Sequence, residues 1–308
     1  MRPSFYILGL YKSCASSFTW LPNTKDFPCV LADLLNSGPT RLSLSRLETL
    51  PVIDPLFSLS GFFVGMIIGV TGVGGGSLMT PLLILLFGVH PSTAIGTDLL
   101  FAAATKTAGS AVHGIHKSID WGVLLLLASG SVPGAFISLW VLSISSLDME
   151  GLARWLSLIL GAMLLITALT IVFRERLLKL AMTSRVRPRS ESVVSTILFG
   201  FIIGVLVSIA SIGAGAVGVT VLMMIYPRMP LLRIVATDIA HAVPLTLVAG
   251  VGHWAIGNVE WMMLVSLLLG SIPGILIASH YAPRVPEPFI RWTLSTVLAI
   301  VGARLLFT

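Results

Sequence analysis

GFFVGMIIGVTGVGGGSLMTP, residues 61–81, lies inside an apolar run from Leu56 to Phe87 that contains no Asp, Glu, Lys or Arg. As one helix the run would extend about 48 Å, against roughly 30 Å for the hydrocarbon core of a bilayer. It therefore breaks, and Thr71-Gly72-Val73-Gly74-Gly75-Gly76-Ser77 is the place, because successive glycines lift the steric bar on non-helical backbone. Amides freed at membrane depth must be met by protein, water or a ligand, so such a segment packs inside protein or lines a cavity. A break there also sets a half-helix N-terminus, the positive end of a dipole, near the bilayer midplane, where it favours an anion. Gly61, Gly65 and Gly69 have the small-xxx-small spacing of close helix contacts and read as packing positions. The glycines form neither a phosphate loop, which ends in Gly-Lys-Ser or Gly-Lys-Thr, nor a dinucleotide fingerprint, which needs a strand–turn–helix unit.

The composition agrees. Of 308 residues, 56% are hydrophobic and 10% charged, and the mean hydropathy is +0.98. That is too little charge for a soluble surface, so the chain reads as an all-α polytopic membrane protein. The formal charge of +6 belongs to topology-setting loops rather than to a nucleic-acid surface, since six of the 19 Lys and Arg fall between Arg174 and Arg189. Cys14 and Cys29 precede the first span and give no disulfide framework and no zinc spacing; no metal or cofactor is expected.

From Leu56 onward the chain repeats itself at an offset near 139 residues. GFFVG at Gly61 returns as GFIIG at Gly200, Thr97-Asp98 as Thr237-Asp238, and His113 as His253. Gly130-Ser131-Val132-Pro133-Gly134 returns as Gly270-Ser271-Ile272-Pro273-Gly274. Each repeat offers four apolar segments: 56–87, 92–112, 121–142 and 152–173, then 193–225, 234–252, 261–280 and 289–307. The expectation is about eight transmembrane helices in two homologous four-segment repeats, the first helix of each glycine-broken. Its parts are an extension over 1–55, repeat 1 over 56–173, a basic linker over 174–191 and repeat 2 over 192–308. No signal peptide is read in the extension. The positive-inside rule puts the linker and the extension in the cytoplasm, but Arg228, Arg233, Arg284 and Arg291 then fall on the outer side. Four spans per repeat make the repeats parallel, whereas a re-entrant hairpin would change both the count and the relative orientation.

Several residues inside the spans could carry chemistry. Asp98 and Asp238 lie about two turns into their helices; they read either as proton-coupling carboxyls or as helix N-caps. Lys106 attracts an anion, pairs with Asp98 or snorkels to the interface. His113 and His253 relay protons or bond a terminal carbonyl. The second break, Ser208 to Gly215, keeps fewer glycines, so its unwinding is less marked and its contribution is Ser211 and Gly213. The expected anion contacts are thus Thr71, Gly74, Gly75, Gly76, Ser77, Ser211 and Gly213. Trp121, Trp155, Trp261 and Trp292 read as interfacial anchors, and Pro133 and Pro273 as kinks.

The glycine-rich break with its Ser and Pro, the Thr-Asp pair, the His113 region and the Gly-Ser-x-Pro-Gly element in a two-repeat membrane chain resemble the TauE/SafE sulfite exporter family, also described as the 4-toluene sulfonate uptake permease family. The resemblance covers roughly Leu56 to Phe307. It implies a multi-pass carrier of the cytoplasmic (inner) membrane that moves sulfite, sulfonates or related anions. The residues themselves argue for an anion and a secondary transporter, not an enzyme: no His-Glu-x-x-His and no Gly-x-Ser-x-Gly occurs within a span. An anion channel, a non-transporting sensor and an intramembrane enzyme remain the alternatives. The expected partners are a small anion and the bilayer, with a homo-oligomer left open and no nucleic acid.

Overall fold

The computed structural model describes residues 54–71, 76–115, 119–144, 149–183, 189–213, 215–281 and 286–307. Expectations for residues 1–53 and for Gly72, Gly74 and Gly75 lie outside the described residues, as do the side chains of Thr71, Ser77 and His113. The helices are α1 (Pro55–Thr71), α2 (Gly76–Phe87), α3 (Pro91–Ile115), α4 (Trp121–Ile144), α5 (Met149–Val172), α6 (Arg174–Thr183), α7 (Arg189–Ala210), α8 (Ala216–Ile225), α9 (Leu231–Ala255), α10 (Trp261–Tyr281) and α11 (Glu287–Phe307). No strand occurs among the described residues. Local chemistry sets several starts. Pro55 and Pro91 open α1 and α3, where a missing N–H costs nothing, and Asp54 Oδ1 accepts the Leu56 N–H at 2.8 Å. Pro133 and Pro273 lie inside α4 and α10 without ending them.

Among the described residues, six helices are long and apolar enough to cross a membrane: α4, α5, α7, α9, α10 and α11. The segments 56–87 and 193–225, expected as one interrupted crossing each, instead double back. The Phe57 and Phe87 rings lie 4.5 Å apart, and Thr196 Oγ1 meets Tyr226 OH at 2.8 Å. Residues 30 positions apart on collinear helices would be roughly 45 Å apart. The two contacts also sit at equivalent positions, 139 residues apart.

Glycines let the halves exchange partners. Gly61, Gly65 and Gly69 of α1 run against Leu267, Ser271 and Ile275 of α10, in the same direction along both helices. Gly200 and Gly204 of α7 meet Leu127 and Ser131 of α4 in the same way. A Cβ added at Gly270 would fall 1.7 Å from the Ser58 carbonyl oxygen, so backbone contact depends on the missing side chain. Gly130-Ser131-Val132-Pro133-Gly134 and its counterpart at 270–274 are therefore half of a close-packed seam.

Equivalent helices α3 and α9 run in opposite directions. The Glu260 N–H donates to Thr97 Oγ1 at 3.1 Å at one end, and the Asp120 N–H donates to Thr237 Oγ1 at 2.9 Å at the other. α5 and α11 are likewise antiparallel, crossing where Gly161 meets Gly302. These directions bring the start of α6, the α8–α9 turn, the Asp120 turn and the start of α11 to one end of the bundle. That end gathers Arg174, Arg176, Lys179, Arg228, Arg233 and Arg291 with Asp120, Glu175 and Glu191, while Asp54, Glu150 and Glu260 lie at the other with Arg154 and Arg304. Trp121, Trp155, Trp261 and Trp292 are exposed on the outside of the bundle.

Candidate functional site

The antiparallel pair α3/α9 carries the buried charges. Asp98 and Asp238 lie seven residues past the first residue of their helices, so neither is the N-cap of its own helix. Asp98 is fully buried and Asp238 is 4% exposed. Asp98 Oδ2 accepts hydrogen bonds from Thr80 Oγ1 on α2 and, at 2.9 Å, from Ser211 Oγ past the end of α7. Asp238 turns instead to the start of α8. Its carboxylate meets the Gly215 N–H, and Oδ1 lies so close to Gly218 that a Cβ there would sit 2.2 Å from it. The amino end of α8 is thereby faced by a carboxylate of the protein itself, which suits the positive end of the dipole.

The second break is definite, despite its few glycines. α7 stops at Ala210 and α8 starts at Ala216; between them Ser211 has φ 55°, Gly213 φ 129° and Gly215 φ 134°. Glycine remains at two of the positions where positive φ is needed. Gly213 faces Ile203, Val207 and Met163 side chains, an apolar lining, and Ser211 is committed to Asp98. In the first break, Gly76 opens α2.

Lys106 does not snorkel. It is 8% exposed and is the buried cation among the described residues, within electrostatic reach of both Asp98 and Asp238 but in a salt bridge with neither. Eight residues along α3 separate it from Asp98, about 12 Å of helix rise. One ammonium between two carboxylates sums to −1 when all three are ionised and to +1 when both carboxyls carry protons. Of these two states only the doubly protonated one has the net sign that attracts an anion.

His253 is fully buried, and its Nε2 donates to the Ser208 carbonyl oxygen at 2.8 Å, in the last turn of α7. That is the terminal-carbonyl role, but in the interior rather than at an interface. Sequence reading missed Thr80, Ser208 and the contact of His241 Nε2 with Ser131 Oγ at 2.8 Å. His241 lies one turn after Asp238 on the same helix face, a signal that was present; its repeat counterpart is Phe101, and a search confined to residues common to both repeats passes over it.

The family model for the sulfite exporter TauE/SafE matches residues 57–305. A probable membrane transporter protein of Bacillus subtilis (strain 168), YjnA, is 36% identical over 250 residues, covering 80% of this chain and 98% of the relative. A second from the same organism, YdhB, is 27% identical over 82% of this chain and 100% of its own length. The Methanocaldococcus jannaschii probable membrane transporter protein MJ0441 is 24% identical over 80% of this chain and 93% of its own. No solved structure matches the chain.

Proposed function

The chain belongs to the TauE/SafE sulfite exporter family of multi-pass membrane transporters, and from that premise we propose that it is a secondary carrier exporting sulfite or a related organosulfur anion across the cytoplasmic membrane. The observation that carries this reading is the buried Lys106 between Asp98 and Asp238, a charge array that takes an anion together with protons. Backbone amides of Gly74 to Gly76, with the Thr71 and Ser77 hydroxyls, hold the anion. Asp98 or Asp238 carries the coupling proton.

Alternating access is supported by the antiparallel course of the equivalent helices α3 and α9 and by the two doubled-back hairpins, features of inverted-repeat carriers. The positive-inside rule assigns the basic end to the cytoplasm. Arg228, Arg233 and Arg291 then join the linker on one side, and the start of α1 falls on the outer side, the reverse of the side read from sequence.

The test is efflux of labelled sulfite from proteoliposomes. Gly75→Leu and Lys106→Gln should each abolish or strongly slow efflux while the protein still inserts; unchanged efflux in both would remove the site. Counterflow separates carrier from channel, since only a carrier accelerates tracer exchange when the far side is loaded.

A further inference from the structure

Three buried polar atoms around the end of α7 have no hydrogen-bond partner among the described residues: Asp98 Oδ1, Ser208 Oγ and His253 Nδ1. Their residues are joined to one another. His253 bonds the Ser208 carbonyl through Nε2, Ser211 lies one turn beyond Ser208, and Ser211 Oγ holds the other oxygen of the Asp98 carboxylate. Asp98 and His253 are fully buried and Ser208 is 1% exposed. A buried polar atom without a partner costs about 1–3 kcal/mol, and three on residues linked in this way point to a ligand.

The chemistry of the three atoms fixes its sign. A carbonyl only accepts, so His253 Nε2 carries the ring hydrogen and Nδ1 of the neutral ring presents a bare lone pair. A carboxylate oxygen and a hydroxyl oxygen complete a set of electron-pair donors. The carboxyl end of α7, with its outward carbonyls and negative dipole end, lies beside them. Such a set accepts a cation and repels an anion. Only one carboxylate belongs to it and Lys106 is within electrostatic reach, which favours a single positive charge over a divalent ion.

We propose that Asp98, Ser208 and His253 form the binding site for a small monovalent cation, a proton carried on water or sodium, whose gradient drives the carrier. The inference rests on the transport reading above and deepens it. It also accounts for the difference between the two breaks. At the 139-residue offset, Ser208 and Ser211 correspond to Gly69 and Gly72. In sequence the first break carries glycines where the second carries serines, and the serine oxygens suit a cation.

Among the described residues, the buried titratable groups besides Asp98 are Lys106 on α3 and Asp238, His241 and His253 on α9; α2 and the end of α7 bring hydroxyls to Asp98. The experiment is thermal unfolding of the purified full-length protein in detergent at constant ionic strength. Sodium replaces choline in one arm, and pH is varied in choline in the other. The wild type should gain several degrees with sodium at fixed pH if sodium binds, or show a pH response in choline if the proton does. Asp98→Asn should lose that response, and Ser208→Ala, which keeps the Thr80 and Ser211 bonds to Asp98, should weaken it. A wild type indifferent to both cations overturns the site, as does an undiminished response in Asp98→Asn. Should Asp98→Asn not yield monodisperse protein, an undiminished response in Ser208→Ala overturns it alone. No substrate enters this assay, so loss of sulfite efflux with the cation response intact removes only the anion assignment.

Discussion

Ser211 Oγ donates to Asp98 Oδ2 at 2.9 Å, joining residues 113 positions apart, and Ser211 holds this contact with φ at 55°. A left-handed backbone costs a non-glycine residue about 1–2 kcal/mol, and a hydrogen bond to a charged group returns about 1.5–3 kcal/mol. The strained turn at the end of α7 is thus held by a carboxylate of the other repeat.

Ser211→Ala keeps the strain and removes the donor, whereas Ser211→Gly removes both. Thermal unfolding in detergent should therefore rank wild type, Ser211→Gly and Ser211→Ala in falling order, with Ala destabilised by about 1–3 kcal/mol. Equal stability of Ala and wild type would mean the contact is not made.

The seam between α1 and α10 makes a sharper claim. Gly270→Ala drives a Cβ into the Ser58 carbonyl, and nothing there can yield without moving a helix backbone. Gly122→Ala on α4 meets only an Asp120 oxygen at 3.4 Å. Size-exclusion profiles of the solubilised proteins should show Gly270→Ala largely lost or aggregated and Gly122→Ala like wild type.

Doubling back of α7 and α8 fixes sidedness. With Cys14 and Cys29 changed to Ser, Arg228→Cys and Lys179→Cys should react with an impermeant maleimide from the same face of the membrane, and Glu260→Cys from the opposite face. Labelling of Arg228→Cys and Lys179→Cys from different faces would restore the single-crossing reading.

Glu175 on α6 accepts from Arg291 on α11 at 2.6 Å, and this guanidinium holds its carboxyl below the usual value of 4.5. A carboxyl lowered in the folded state contributes stability that is fully present above its unfolded value and is lost as pH falls through the folded one. Protection of the α6 amides, corrected for the pH dependence of intrinsic exchange, should therefore fall on acidification below about pH 4.5 in the wild type and lose that step in Glu175→Gln. An identical acid response in the variant would show that the pair does not tether α6.

The candidate site was half legible. Asp98, Asp238, Lys106 and His253 stand out in the chain because ionisable groups in apolar segments are costly, and the structure buries all four. Thr80 and Ser208 were invisible: a hydroxyl in an apolar helix satisfies itself on its own backbone as readily as on a distant carboxylate. Gly61, Gly65 and Gly69 were correctly read as packing positions, but their partner on α10, some 206 residues away, was not readable.

The chain by itself determined a helical multi-pass membrane protein and the residues too polar to face lipid, because each follows from local composition and spacing. Folding in three dimensions decided that the broken segments reverse, that α4 and α10 change partners between the halves, and that Ser211 reaches Asp98. Helix direction after a break and pairing across the duplication depend on which glycine faces meet. Sequences apolar on every side carry no periodicity to announce that choice.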